Sequence, residues 1–184
     1  MNLLKYNKDL FAPPPVSSSS ILYCYGQYNS YVPQLENEGM RICSGQPSDD
    51  LISSLDKPAI IVLDDLMLSL SERWLSDMFT KRSHHENFSV VLLCQNLFQS
   101  TLRIARLNSH YICLMRSPSA QLQIRNFGTQ LFPRQLPFFL DAYKKATDVQ
   151  YGYLFVDLHP TTNDYLRVRT NIFPGESTTI FRPL

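Results

Sequence analysis

The chain has 184 residues, of which 44% are apolar and 18% charged, so it is long enough for a buried core and too apolar for wholesale disorder. Its formal net charge is +1, which excludes a global charge signal for nucleic acid or an acidic partner. None of its six glycines (Gly26, Gly39, Gly45, Gly128, Gly152, Gly175) is followed by lysine, so the sequence holds no G-x-x-x-x-G-K-[ST] phosphate loop.

In chain order, residues 1–11 read as the tail of a helix with Leu3, Leu4, Leu10 and Phe11 as apolar positions. Ala12 to Ser20, three prolines and four serines among them, reads as a linker, because proline lacks a backbone donor and serine favours local turns. Ile21 to Tyr25 is a strand pattern, and Met40 to Ser44 a weaker one. Ala59 to Leu63 is apolar without alternation, as expected of a parallel-sheet strand covered on both faces, and it ends in Asp64-Asp65. A helix should follow, with Ser69 and Glu72 as a capping box and Trp74, Leu75, Met78 and Phe79 as its apolar face. Lys81 to Asn87 reads as a polar loop, and Phe88 to Cys94 as a second apolar strand ending in Gln95-Asn96. Strand, helix, strand is the βαβ unit.

Tyr111 to Met115 is a third apolar strand. Helices are expected near 119–131 and 134–147, interrupted by Phe132-Pro133. Tyr153 to Leu158 and Leu166 to Arg169 flank a turn-rich segment and should form a hairpin, followed by a loosely held tail from Pro174. The organisation expected is a helix end and linker over 1–20, one α/β domain over 21–173 and a tail over 174–184. Cys24, Cys43, Cys94 and Cys113 all lie in apolar runs without a CxxC spacing, which predicts reduced, buried thiols and an intracellular setting. No secretory h-region and no run of about 18 apolar residues is visible.

In open α/β sheets ligands sit beyond the carboxyl ends of the strands. The groups delivered there are Asp64, Asp65, Gln95 and Asn96. An apolar strand ending in two carboxylates is a Walker B pattern: one carboxylate holds a hydrated Mg²⁺, the other orients or deprotonates water, and an amide on the next strand senses the terminal phosphate. The alternative is that Asp64 and Asp65 only cap the following helix. Arg103 and Arg106 are candidate arginine fingers or solvated side chains. Lys81, Arg82, His84 and His85 form a polar segment that could touch a phosphate backbone, and adjacent histidines alone make no zinc site. Arg167 and Arg169 alternate with apolar residues, and should share one face, either solvated or lining a DNA path.

The segments Ile60 to Met67, Phe79 to Val90, Gln95 to Phe98, Leu107 to Tyr111, Tyr151 to Leu154 and Leu166 to Gly175, with Tyr23 to Tyr28 ahead of them, resemble the DNA-packaging ATPases of Polinton/Maverick elements and adintoviruses. These belong to the FtsK–HerA-like group, which also includes the poxvirus packaging ATPase. The resemblance implies a P-loop NTPase-type (RecA/FtsK-like), mostly parallel sheet flanked by helices with a C-terminal β-hairpin. It implies ATP and Mg²⁺ as cofactors, with Asp64 as metal ligand, Asp65 as catalytic carboxylate, Gln95 as sensor and Arg103 as finger. The partners it implies are double-stranded DNA, further copies of the chain in a ring, and capsid or portal proteins, with no membrane; the setting is host nucleus or cytoplasm and the virion. Asp65 stands where relatives often carry Glu, one methylene longer.

The family's opening strand and Walker A loop have no counterpart here, and residues 1–10 fall where the helix after that loop belongs. The expectation is therefore an N-terminally incomplete domain, with the central strand of the sheet missing, apolar surface and backbone edges exposed and no appreciable ATPase activity by itself. Two rivals remain: a non-catalytic DNA-binding or interaction remnant, and an unrelated Mg²⁺-dependent α/β phosphoesterase.

Overall fold

The computed structural model describes residues 2–183, which divide into two compact units, 2–108 and 109–183.

The first unit is built on a four-stranded, all-parallel sheet: β1 (Ile21–Tyr25), β2 (Arg41–Ser44), β3 (Ala59–Asp64) and β4 (Phe88–Leu93), in the order β2-β1-β3-β4. Two short helices, α1 (Asn2–Lys5) and α2 (Asn7–Leu10), precede it where one helix tail was expected. Helices α3 (Val32–Asn37), α4 (Asp49–Ser53) and α5 (Glu72–Asp77) lie in the connections. The unalternating run of β3 is explained by burial on both faces: Ile60, Ile61, Val62 and Leu63 are all within the core. Leu22, Cys24, Ile61 and Leu63 pack with Ile52, Leu75 and Met78 in one cluster. Ile21, Tyr23, Ile60 and Val62 pack with Leu4, Val32 and Leu35 in the other.

The connection from β3 to β4 differs from the sequence expectation at both ends. The cap of α5 is Ser71, whose hydroxyl accepts from the Trp74 N–H at 3.2 Å, while Ser69 donates to the Leu66 carbonyl. Leu66 and Leu70 are both buried, so the chain must complete a turn that anchors them before the helix can start. Beyond α5 the chain stays helical through a π-helical turn (Met78–Arg82) and α6 (Ser83–His85), so most of the expected polar loop is helix. Helical spacing brings Arg82 onto Glu86, and Arg82 also reaches Asp49. Asn87, at φ +52°, ends the segment. Beyond β4, α7 (Arg103–Asn108) closes the unit. The outer edge of β4 pairs with no described strand, and Leu93 at its end is 37% exposed.

The second unit holds a separate antiparallel sheet, β5 (Tyr111–Met115), β6 (Tyr153–Asp157), β7 (Val168–Thr170) and β8 (Thr179–Ile180), in that order. The expected parallel sheet flanked by helices is present in the first unit, but the third apolar strand, β5, belongs to this separate antiparallel sheet. The hairpin expected from 153–158 and 166–169 is present in shifted form, with Phe155 opposite Arg169 and Val156 opposite Val168. The C-terminal segment contributes β8, and the Phe181 N–H donates to the Val168 carbonyl at 2.9 Å. Helices α8 (Gln121–Leu131) and α9 (Leu136–Ala146) match their expected positions. Gly128 on α8 is required by close approach, since a Cβ there would lie 2.4 Å from Phe139 on α9. Tyr143 of α9 accepts from the Ser117 N–H and donates to the Met115 carbonyl, both at 3.0 Å, which ties the helix to the end of β5.

All four cysteines are free thiols, but only Cys24 is fully buried; Cys43 is intermediate and Cys94 and Cys113 are exposed. The expectation of four buried thiols is corrected, because Cys94 lies beyond the end of β4 and Cys113 alternates with the buried Ile112 and Leu114.

Candidate functional site at the carboxyl end of the parallel sheet

The carboxyl ends of β1, β3 and β4 open onto a cavity of about 370 Å³. Its lining includes Tyr28 and Asn29 from the segment after β1, Asp64 and Asp65 from the end of β3, and Cys94 and Gln95 from the end of β4. Three groups singled out from the sequence therefore meet in one place. The Gln95 side-chain amide is 3.5 Å from Asp65 Oδ1, a long contact that nonetheless places the sensor candidate beside the second carboxylate. Asp64 is half-buried and Asp65 exposed.

The local backbone explains the convergence. Asp65 sits at φ +53°, a left-handed conformation that Asp tolerates better than most residues, and the chain turns sharply there as it leaves β3. Gly26, just past β1, packs against this turn. Its N–H donates to the Asp64 carbonyl at 2.8 Å, and a Cβ at this position would lie 2.2 Å from the Asp65 carbonyl oxygen. Only glycine permits that approach.

Asp64 is held by groups to which the sequence reading gave no role. The Tyr23 hydroxyl donates to its Oδ2, and the Asn29 amide lies 3.5 Å from the same oxygen. Burial, and next the hydrogen bond to Asp64, push the Tyr23 phenol up to about 12, while the Asn29 contact pulls the other way. The hydroxyl is thus a donor at neutral pH. The signal in the sequence was a tyrosine two residues before the end of a strand, which identifies no partner until β1 and β3 are known to be neighbours.

The side-chain donors of the lining are mostly hard oxygen, from two carboxylates, side-chain amides and the Tyr28 hydroxyl, with the Cys94 thiol as the one soft donor among them. Among the described residues no group of three or more His, Cys, Asp or Glu side chains could hold a metal ion. A cation at this cavity would have one or two carboxylates and otherwise water. That pattern fits Mg²⁺, which keeps much of its hydration shell, and does not fit a fully protein-ligated zinc site.

Asn96 does not line the cavity; its Oδ1 accepts from the Phe98 N–H at 2.9 Å, so its side chain shapes the turn after β4. Arg103 begins α7, is exposed, and does not line the cavity. Arg106 is committed elsewhere, with its guanidinium 4.3 Å over the Phe98 ring and donating to the Leu97 carbonyl. Lys81 is exposed and 3.4 Å from Asp77. Arg82 is spent on Glu86 and Asp49, and its side chain is only 19% exposed. His84 and His85 are exposed on α6.

In the second unit Arg167 donates to Asp164 and to the carbonyls of Asp157 and His159. Arg169 pairs with Asp157 at 2.6 Å and lies over Phe155. The two arginines do not alternate along one strand: Arg167 precedes β7 and caps carbonyls, while Arg169 lies within β7.

No family model, no curated protein and no solved structure matches this chain.

Proposed function

We propose that this chain is the C-terminal portion of a genome-packaging ATPase of the FtsK–HerA-like kind, acting with ATP and Mg²⁺ to move double-stranded DNA into a capsid. The observation that carries the reading is the meeting of Asp64, Asp65 and Gln95 in one cavity at the carboxyl end of a parallel sheet. In this reading Asp64 holds the hydrated Mg²⁺, which would neutralise phosphate charge when bound. Asp65 orients and deprotonates the attacking water, and Gln95, beside it, positions that water or reports on the terminal phosphate. Arg103, exposed and outside the cavity, acts on the site of a neighbouring copy in a ring. Capsid or portal proteins are the further partners of such a motor.

The outer edge of β4, which pairs with no described strand, supports the same reading. An apolar strand at a sheet edge, without proline or charge, is a template for another strand. A strand bringing a phosphate loop would fit there, next to Gln95. Without a Gly-Lys loop, this chain has no backbone cradle for the β- and γ-phosphates. ATP turnover by the chain on its own is therefore expected at background level.

Among the described residues no helix is long and apolar enough to cross a membrane. The test is binding of Mn²⁺, as a probe for Mg²⁺, to the purified chain, followed by paramagnetic resonance. Binding should be lost in Asp64→Ala. Turnover of ATP by the chain alone, abolished by Asp65→Asn, would overturn the requirement for an added loop. Mg²⁺-dependent phosphoester hydrolysis without ATP would favour a phosphoesterase, and salt-sensitive DNA binding that survives Asp64→Ala without metal binding would favour the remnant.

A further inference from the structure

We propose that Tyr23 and Asn29 are positioning residues for Asp64, occupying its Oδ2 so that the carboxylate meets a divalent cation through Oδ1 alone and thereby prefers Mg²⁺ to Ca²⁺. The inference rests on the reading above that Asp64 is the cation ligand.

Tyr23 is fully buried in β1, where its ring packs with Ile21, Ile60 and Val62. Its hydroxyl donates to Asp64 Oδ2. Packing on all sides leaves the ring one position, so the hydroxyl is a fixed donor rather than a passing one. Asn29 is fixed independently. Its Oδ1 accepts from the Tyr31 N–H at 3.0 Å, and its amide nitrogen lies 3.4 Å from the Tyr23 hydroxyl and 3.5 Å from Asp64 Oδ2. Two donors from one side thus converge on one oxygen. Among the described residues no side-chain donor reaches Asp64 Oδ1. The carboxylate lines the cavity.

A carboxylate with one oxygen engaged offers a cation a single oxygen. Mg²⁺ takes carboxylates one oxygen at a time, in octahedral geometry, and retains water. Ca²⁺ is larger, takes more ligands and commonly uses both oxygens of a carboxylate. Holding Oδ2 therefore handicaps Ca²⁺ and costs Mg²⁺ nothing. The same bond fixes the rotamer of Asp64, and ligand orientation by such an outer partner contributes to affinity.

The experiment is Mn²⁺ binding to the purified chain by paramagnetic resonance, with Mg²⁺ and Ca²⁺ as competitors, for the unaltered protein, Tyr23→Phe and Asn29→Ala. Tyr23→Phe removes only a hydroxyl from the core, and Asn29→Ala changes a residue outside it, so at least one variant keeps the fold. Competition by Mg²⁺ is expected to weaken by about tenfold, the lower end for loss of an outer-shell partner. Competition by Ca²⁺ is expected to hold or strengthen, so the preference moves toward Ca²⁺. Equal weakening of both ions, the signature of a merely structural role, overturns the inference, as does an unchanged preference. Failure of the unaltered chain to bind Mn²⁺ in an Asp64-dependent way defeats the reading beneath it, and the inference falls with it.

Discussion

Gly26 packs against the turn at Asp65 beside the proposed site, and Gly26→Ala tests whether that contact holds the two strand ends together. The added methyl would sit 2.2 Å from the Asp65 carbonyl oxygen and 3.0 Å from its carbonyl carbon. Ordinary contact needs about 3.5 Å, so the backbone must yield by more than about 1 Å. Both obstacles are main chain, which cannot rotate away as a side chain could. The displacement would break the 2.8 Å bond from the Gly26 N–H to the Asp64 carbonyl. Losing that bond costs about 1 kcal/mol, and overpacking adds about 1–3 kcal/mol, for a total of about 2–4 kcal/mol. Gly45→Ala is the control. Gly45 also follows a strand of this sheet and has φ +79°, but a Cβ there meets nothing within 4 Å. Only left-handed strain remains, at about 1–2 kcal/mol. Urea denaturation of both variants, monitored by circular dichroism, gives the comparison. A Gly26→Ala cost no greater than that of Gly45→Ala would refute the close approach, and with it the account of how Asp64 and Asp65 are placed.

Three further outcomes are expected. Asp157 is buried and accepts from Arg169, the His159 N–H and the Thr162 hydroxyl, so Asp157→Asn should destabilise the second unit by about 2–3 kcal/mol by leaving the Arg169 charge without its counter-ion, measured by denaturant midpoint. Arg82 grips Glu86 with two nitrogens and Asp49 with a third, so Arg82→Ala should cost about 1–2 kcal/mol at low salt and less at high salt, and Arg82→Lys should restore less than half, because lysine lacks the fork. Burial is the leading cause that raises the Tyr23 and Tyr153 phenols from 10.0 to about 12, so the folded state holds these protons more tightly than the unfolded state. Their contribution is complete below pH 10 and is lost as pH rises through 12; stability measured across that window should fall, and Tyr23→Phe should fall less steeply than the unaltered protein.

Much of the proposed site was legible because the local pattern and its tertiary setting agree. β3 is apolar without alternation because both of its faces are covered, and Asp64 and Asp65 are polar because the strand ends there at a cavity. Gln95 follows the same logic on the adjacent strand. Tyr23 and Asn29 were not legible, because their role depends on the pairing of β1 with β3, 41 residues apart for the Tyr23–Asp64 bond, and nothing local announces that pairing. The continuation of helix through Lys81 to His85 was hidden by its polarity; it rests on charge pairs at helical spacing rather than on an apolar stripe. The antiparallel placement of β5 was hidden for the opposite reason. Tyr111, Cys113 and Met115 are exposed and Ile112 and Leu114 buried, an alternation invisible when every residue is apolar.

The central claim is that Asp64, Asp65 and Gln95 form the carboxylate and sensor side of an ATP-hydrolysing site that needs a phosphate loop. The most direct measurement is DNA-dependent ATP turnover by the chain joined ahead of residue 2 to a strand, a G-x-x-x-x-G-K-[ST] loop and a helix. The account predicts Mg²⁺-dependent turnover that is absent from the chain alone and lost in Asp65→Asn. Turnover that persists in Asp65→Asn, or none in a joined chain shown to be folded and to bind ATP, would contradict it.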